Sequence, residues 1–332
     1  MKMRITGLLI LGAVVMWYLS GPKPSPIQLN TNKLEELSLT EAAERAKRDV
    51  QTANVKPDNE SVLIWAHDSI SRTPYVFLYL HGFSSSRNEG YPFHTELAAQ
   101  FGANLYLPRL HPHGLDTTES LVNYTAEGQW EEAREALQIA RALGDTVIIV
   151  GTSTGGTLGL MLAAEYPEHI HSLLLLSPNI AIHSYAAFLL NNPWGLEIAR
   201  KIQGSNYRHV QPLNDDYPKY WDTLYRLEAV VELQHLVEYG MTEKTFNRIA
   251  CPVWTGVYYA DSEHQDPVVR VAAVRHMMRN LSTPNHLRIL EEFEQPDHHV
   301  LGSKFISPYY TIPLDSALSF CTNVLHMKRE YP

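Results

Sequence analysis

The chain has 332 residues, 45% hydrophobic and 19% charged, a balance too apolar for a disordered polymer. Acidic residues outnumber Lys and Arg by 36 to 27, so no overall positive field attracts a phosphate backbone, and nucleic acid is not an expected partner. The two cysteines, Cys251 and Cys321, supply neither a disulfide framework nor a paired zinc motif.

Lys2 and Arg4 precede an uncharged apolar run that ends at Trp17-Tyr18-Leu19 and is followed by Ser20-Gly21-Pro22. As a helix this run would span roughly 24 Å, slightly less than a hydrocarbon core of about 30 Å. Aromatics stand at its far end and no small-residue cleavage site follows. Residues 1–22 therefore read as a signal anchor, with a cleaved signal peptide as the alternative. The basic start faces the cytoplasm, which predicts a cell-envelope protein anchored in the inner membrane and facing outward, or periplasmic or secreted if cleaved. Residues 23–59 read as a Pro-rich linker and a charged helical arm over 34–50, too poor in apolar residues to pack strongly on the body.

From Ser61 onward short apolar runs predict strands over 62–66, 75–80, 104–107, 146–150, 172–177 and 252–259, with a last strand over 286–293. Helical patterns over 92–100, 127–143 and 154–166 alternate with them. That order describes an α/β fold with a mainly parallel sheet covered on both faces by helices. The stretch 179–250 holds no convincing buried strand and reads as a helical cap inserted into one core, 60–178 and 251–332. A helix near 221–239 belongs to that cap.

The chemistry gathers at loops after the strands. The strand over 146–150 runs into Gly151-Thr152-Ser153-Thr154-Gly155, a G-x-S-x-G turn leading directly into a helix. Such a turn holds a serine hydroxyl clear of the backbone and beside a helix N-terminus, where negative charge is favoured. The strand over 75–80 ends in His81-Gly82-Phe83, the place that supplies a second oxyanion amide. The N–H groups of Phe83 and Thr154 are thus candidate oxyanion donors to a tetrahedral intermediate. An acid should come next in the chain and a histidine last. Asp266 and Asp261 compete for the acid, Asp266 being next to apolar residues and Asp261 closer to its strand. His299, followed by Val300-Leu301, is the candidate base that turns inward, and His298 is the alternative. His81 and, in the cap, Phe188, Leu189, Leu190, Trp194 and Trp221 are candidate substrate contacts. His111 and His113 read as loop residues with satisfied hydrogen bonds. Adjacent histidines rarely converge on one ion, so no metal is expected.

These residues resemble the α/β-hydrolase superfamily, nearest its capped esterase and monoacylglycerol-lipase-like branch. The likeness covers about residues 60 to 332 and rests on HGFSSS, LPRLHPHG, GTSTGG, Asp266-Pro267-Val268-Val269 and His299-Val300. It favours Asp266 and His299 over their neighbours. It implies a cofactor-free serine hydrolase acting on a small acyl ester through an acyl-enzyme, with Ser153 as nucleophile. A peptidase or amidase on the same residues, or a non-catalytic binding protein of this fold, is the alternative. Oligomeric state is not legible.

Overall fold

The computed structural model describes residues 11–13 and 15–330. Its strands in chain order are β1 Val62–Ile64, β2 Thr73–Leu80, β3 Asn104–Leu107, β4 Gly144–Thr152, β5 Ser172–Leu176, β6 Tyr207–His209, β7 Leu224–Arg226, β8 Val253–Tyr258 and β9 Arg288–Phe293. Seven of them form one sheet in the order β1-β3-β2-β4-β5-β8-β9. Only β1 runs antiparallel to its neighbour. This is the α/β architecture the apolar runs predict.

Alternate side chains of one strand enter different cores because successive Cβ atoms point to opposite faces. In β2, Val76, Leu78 and Leu80 join the core beneath helices Ala126–Leu143 and Thr154–Glu165. Phe77 and Tyr79 join the core beneath helices Phe93–Gln100 and Thr311–Asn323. β4 divides Val147 and Ile149 from Ile148 and Val150 in the same way. Burial on both faces is what removes the polar alternation from these strands.

The arm departs from expectation. Its α-helix is confined to Leu39–Arg45, capped by the Ser38 hydroxyl, and a single 3-10 turn covers Arg48–Gln51. It also packs firmly: Leu34, Ala42 and Ala46 are buried in the same core as Trp130 and Ala133. The Asp49 carboxylate accepts hydrogen bonds from the Ser61 N–H at 2.7 Å and from Arg109 Nε at 3.0 Å. A few apolar residues suffice because the arm's helix packs on helix Ala126–Leu143, and a buried ion pair fastens the arm's end.

The membrane expectation for residues 1–22 falls in part outside the described residues. Among the described residues no helix is long and apolar enough to cross a membrane. The insertion leaves the sheet after β5 and returns at β8, carrying helices Gly195–Gln203 and Leu227–Gly240. It also carries an antiparallel hairpin of β6 and β7 that its sequence does not announce. Tyr225, Ala229, Leu233 and Val237 of the insertion form a third, smaller core with Leu121 and Tyr124.

Candidate active site

Sheet register brings the predicted loops together. Leu80 of β2 pairs with Gly151 of β4, and Thr152 of β4 pairs with Leu176 of β5, so the chain turns after β2, β4 and β5 share one edge. This carboxyl edge is where open α/β sheets hold ligands. Ser153 links β4 to helix Thr154–Glu165 at φ 53° and ψ −116°, a backbone region that side chains other than glycine's rarely enter. The Ser153 N–H donates to the Leu176 carbonyl at 2.9 Å, which holds the turn in place. A β-carbon on Gly155 would lie 1.9 Å from the Leu80 carbonyl oxygen, so the turn cannot close with any larger residue there.

Asp266, after β8, is fully buried; its Oδ1 accepts the Val268 and Val269 N–H groups at 2.8 and 2.9 Å. Its Oδ2 lies 2.7 Å from His299 Nδ1, after β9. Burial opposes the charge on both partners, but their mutual attraction outweighs it, holding the Asp266 pKa down and the His299 pKa up. Their neighbours are engaged elsewhere. Asp261 is exposed and folds back on His264, with 2.9 Å from Oδ2 to Nδ1. His298 Nδ1 accepts the Val300 N–H at 3.0 Å, and burial lowers the His298 pKa to about 4.

The loop after β2 is built from beneath. His81 Nε2 accepts the Leu110 N–H at 3.0 Å, which leaves the proton on Nδ1 to donate to the Gly82 carbonyl at 2.9 Å. The Ser85 hydroxyl donates to the same carbonyl at 2.9 Å. In a trans peptide the Phe83 N–H must point the opposite way from that carbonyl. Among the described residues neither the Phe83 nor the Thr154 N–H donates a hydrogen bond to another protein group. Gly82 abuts the nucleophile candidate, since a β-carbon there would lie 3.1 Å from Ser153 Cβ. Its N–H donates to the buried Glu89 carboxylate.

Ser153, Thr154, Phe83, Glu89 and His299 line one cavity of about 720 Å³, open to solvent and otherwise walled mainly by apolar side chains of the insertion. Leu189, Leu190 and Trp221, candidate substrate contacts from the sequence, are among the residues that line it. Three predicted substrate contacts need correction. His81 is fully buried under its own loop and supports that loop. Phe188 is exposed and lies outside the cavity wall. Trp194 stacks on Trp17 at 5.0 Å, its indole N–H donating to the Tyr18 carbonyl, so it meets the N-terminal segment. His113 also differs from expectation: Nδ1 bonds the Leu110 carbonyl, but the buried Nε2 has no partner among the described residues. Residue type alone misleads in the cap because helix facing decides the outcome. Ile198 and Ile202, four apart on helix Gly195–Gln203, do reach the cavity, and that spacing is a readable signal. Glu89 has no such signal, for Arg87-Asn88-Glu89 looks like a solvated loop.

Comparison with known proteins agrees with this architecture. The model of the alpha/beta hydrolase family matches residues 77–304. Lipase 1 of Psychrobacter immobilis is 26% identical over 54% of this chain and 52% of its own length. The thermostable monoacylglycerol lipase of Bacillus sp. (strain H-257) is 26% identical over 58% of this chain and 72% of its own length. The chain thus spans about half the length of Lipase 1. Among solved structures, one from work on LipS and LipT, two metagenome-derived lipolytic enzymes, superposes with a TM-score of 0.64. It is 18% identical and covers 80% of this chain and 98% of its own, a likeness of fold.

Proposed function

The chain belongs to the alpha/beta hydrolase family, and from that premise we propose that it is a serine hydrolase of carboxylic esters. The observation that carries this reading is His299, which lines the same apolar cavity as the strained Ser153 and is held from behind, at 2.7 Å, by the buried Asp266. His299 takes the Ser153 hydroxyl proton as the oxygen attacks the ester carbonyl, and Asp266 holds the imidazole and stabilises its cation. The unengaged N–H groups of Phe83 and Thr154 receive the oxyanion. The protonated His299 then gives its proton to the leaving alkoxide, and water attacks the acyl-enzyme through the same base. The apolar cavity wall favours an acyl chain over a charged one, and the similarity to named lipases points the same way.

A fluorophosphonate probe is expected to label the protein and to leave Ser153→Ala unlabelled; equal labelling of both overturns the proposal. Turnover of p-nitrophenyl esters of rising chain length, set against amino-acid amides, then separates an esterase from a peptidase. We also propose, from the apolar run within residues 1–22, that the enzyme works at the cell envelope. Recovery of the full-length chain in the membrane fraction tests this, and a wholly cytosolic chain refutes it.

A further inference from the structure

Glu89 is a buried carboxylate that the mechanism above does not use. Only 2% of it is exposed, yet it lines the cavity together with Ser153 and His299. An ionisable group is seldom fully buried without a partner of opposite charge. Among the described residues no lysine or arginine forms an ion pair with Glu89: the nearby Arg87 is taken by Glu60 at 2.9 Å. What faces Glu89 from each packed element is defined. From β2 comes the Tyr79 hydroxyl, 3.5 Å from Oε2 and itself donating to Thr152 Oγ1 at 3.1 Å. From the loop after β2 come the Gly82 N–H and the nearby Ser85 hydroxyl. The insertion contributes Tyr217, and the loop after β9 contributes His299, whose imidazole can become a cation.

We propose that Glu89 is a positioning residue of this site: its carboxylate fixes the Gly82 amide under the oxyanion loop and adds a second negative charge, besides that of Asp266, facing the His299 imidazolium. The two roles follow from two different contacts. The Gly82 N–H is held by Glu89 while the Gly82 carbonyl is held by His81 and Ser85, so both peptide planes flanking Gly82 are fixed before substrate arrives. That leaves the Phe83 N–H pre-aimed, at no reorganisation cost in the transition state. The charge acts when His299 has taken the Ser153 proton, for then a cation forms close to Glu89 in a site of low dielectric. Burial raises the Glu89 pKa to about 7, against the Gly82 bond and His299, so its charge is gained near neutrality.

This inference rests on the serine-hydrolase reading for its catalytic consequence, but not for its electrostatic one. Glu89→Gln keeps an acceptor for the Gly82 N–H and removes the charge; Glu89→Met removes both. Histidine-selective NMR of the full chain follows the His299 imidazole through pH in the absence of turnover. In Glu89→Gln the His299 midpoint is expected to fall by about one pH unit. The acid limb of kcat/KM should move down equally, with kcat lowered about tenfold and KM within about twofold. Glu89→Met should lose about a further tenfold in kcat as the oxyanion loop loosens. An unmoved His299 midpoint in Glu89→Gln overturns the electrostatic role, and equal kcat for the two variants overturns the positioning of Gly82. Failure of the wild-type protein to label at Ser153 would instead strike the serine-hydrolase reading, with the imidazole titration still deciding on Glu89.

Discussion

At the scale of single residues the two candidate acids make opposite predictions. Asp266 uses Oδ1 on two backbone amides and Oδ2 on His299, so an asparagine there can keep the amide contacts while turning an N–H toward the imidazole. The ring would then carry its proton on the wrong nitrogen. Asp266→Asn should lower kcat by about 10⁴. Asp261→Asn breaks only an exposed turn and a contact to His264, and should leave kcat within about twofold. Steady-state kinetics on both variants decides between them; a reversal of the two effects would transfer the acid to Asp261. The sequence alone leaves this choice open because both aspartates stand in one loop after β8, and only burial distinguishes them.

At the scale of elements, the arm is part of the main body. Burial opposes ionisation of Asp49, but Arg109 and Ser61 more than offset it and hold the pKa below the usual carboxylate range. Removing that charge leaves the Arg109 guanidinium buried without a counter-ion, so Asp49→Asn should cost about 3–5 kcal/mol in a urea unfolding measurement. The exposed Glu35–Arg45 pair is the control, and Glu35→Gln should change stability by under about 1 kcal/mol. Equal effects would mean that the arm is only laid on the surface. The arm also shows where sequence reading ends. The sheet was legible because strands buried on both faces must be continuously apolar, and the nucleophile turn because glycine is obligatory at Gly155. The arm's packing depends on Arg109, distant in sequence, and the cavity on which faces of the cap helices turn inward. Neither leaves a local pattern, and a buried Glu89 is indistinguishable in the chain from a solvated one.

At the scale of the whole molecule, buried titratable groups set the pH dependence of stability. Four histidines, His81, His94, His113 and His298, have pKa values pulled down chiefly by burial, to about 4 for His94 and His298 and about 3 for His113. Unfolded histidine titrates near 6.5, so below that pH the unfolded chain binds protons that the folded one refuses, and stability is lost as pH falls. Glu89 has the opposite sign. Its pKa rises from 4.5 to about 7, so the folded protein keeps a proton that the unfolded chain has released, and stability is lost as pH rises through that window. His299, with its pKa raised, likewise contributes stability below about 6.5 that is lost as pH climbs through its folded value. Near pH 5.5 His299 is charged in both states, so these four histidines outweigh Glu89 by about three protons, a share of the slope of about 4 kcal/mol per pH unit, to which His111, His169 and His171 add and which Glu132 opposes. Urea midpoints should therefore fall steeply from pH 6.5 to 5, faster than the depressed Asp49 and Asp266 alone would allow, since those two lose their contribution only below about pH 4. Glu89→Gln removes one opposing carboxyl and leaves Glu132, whose pKa burial also raises. Its stability relative to wild type should rise between pH 5 and pH 8, by about 3 kcal/mol in all. A difference that stays flat over that range would mean that Glu89 is ionised at its ordinary pKa and that the cavity wall is wetter than its burial indicates.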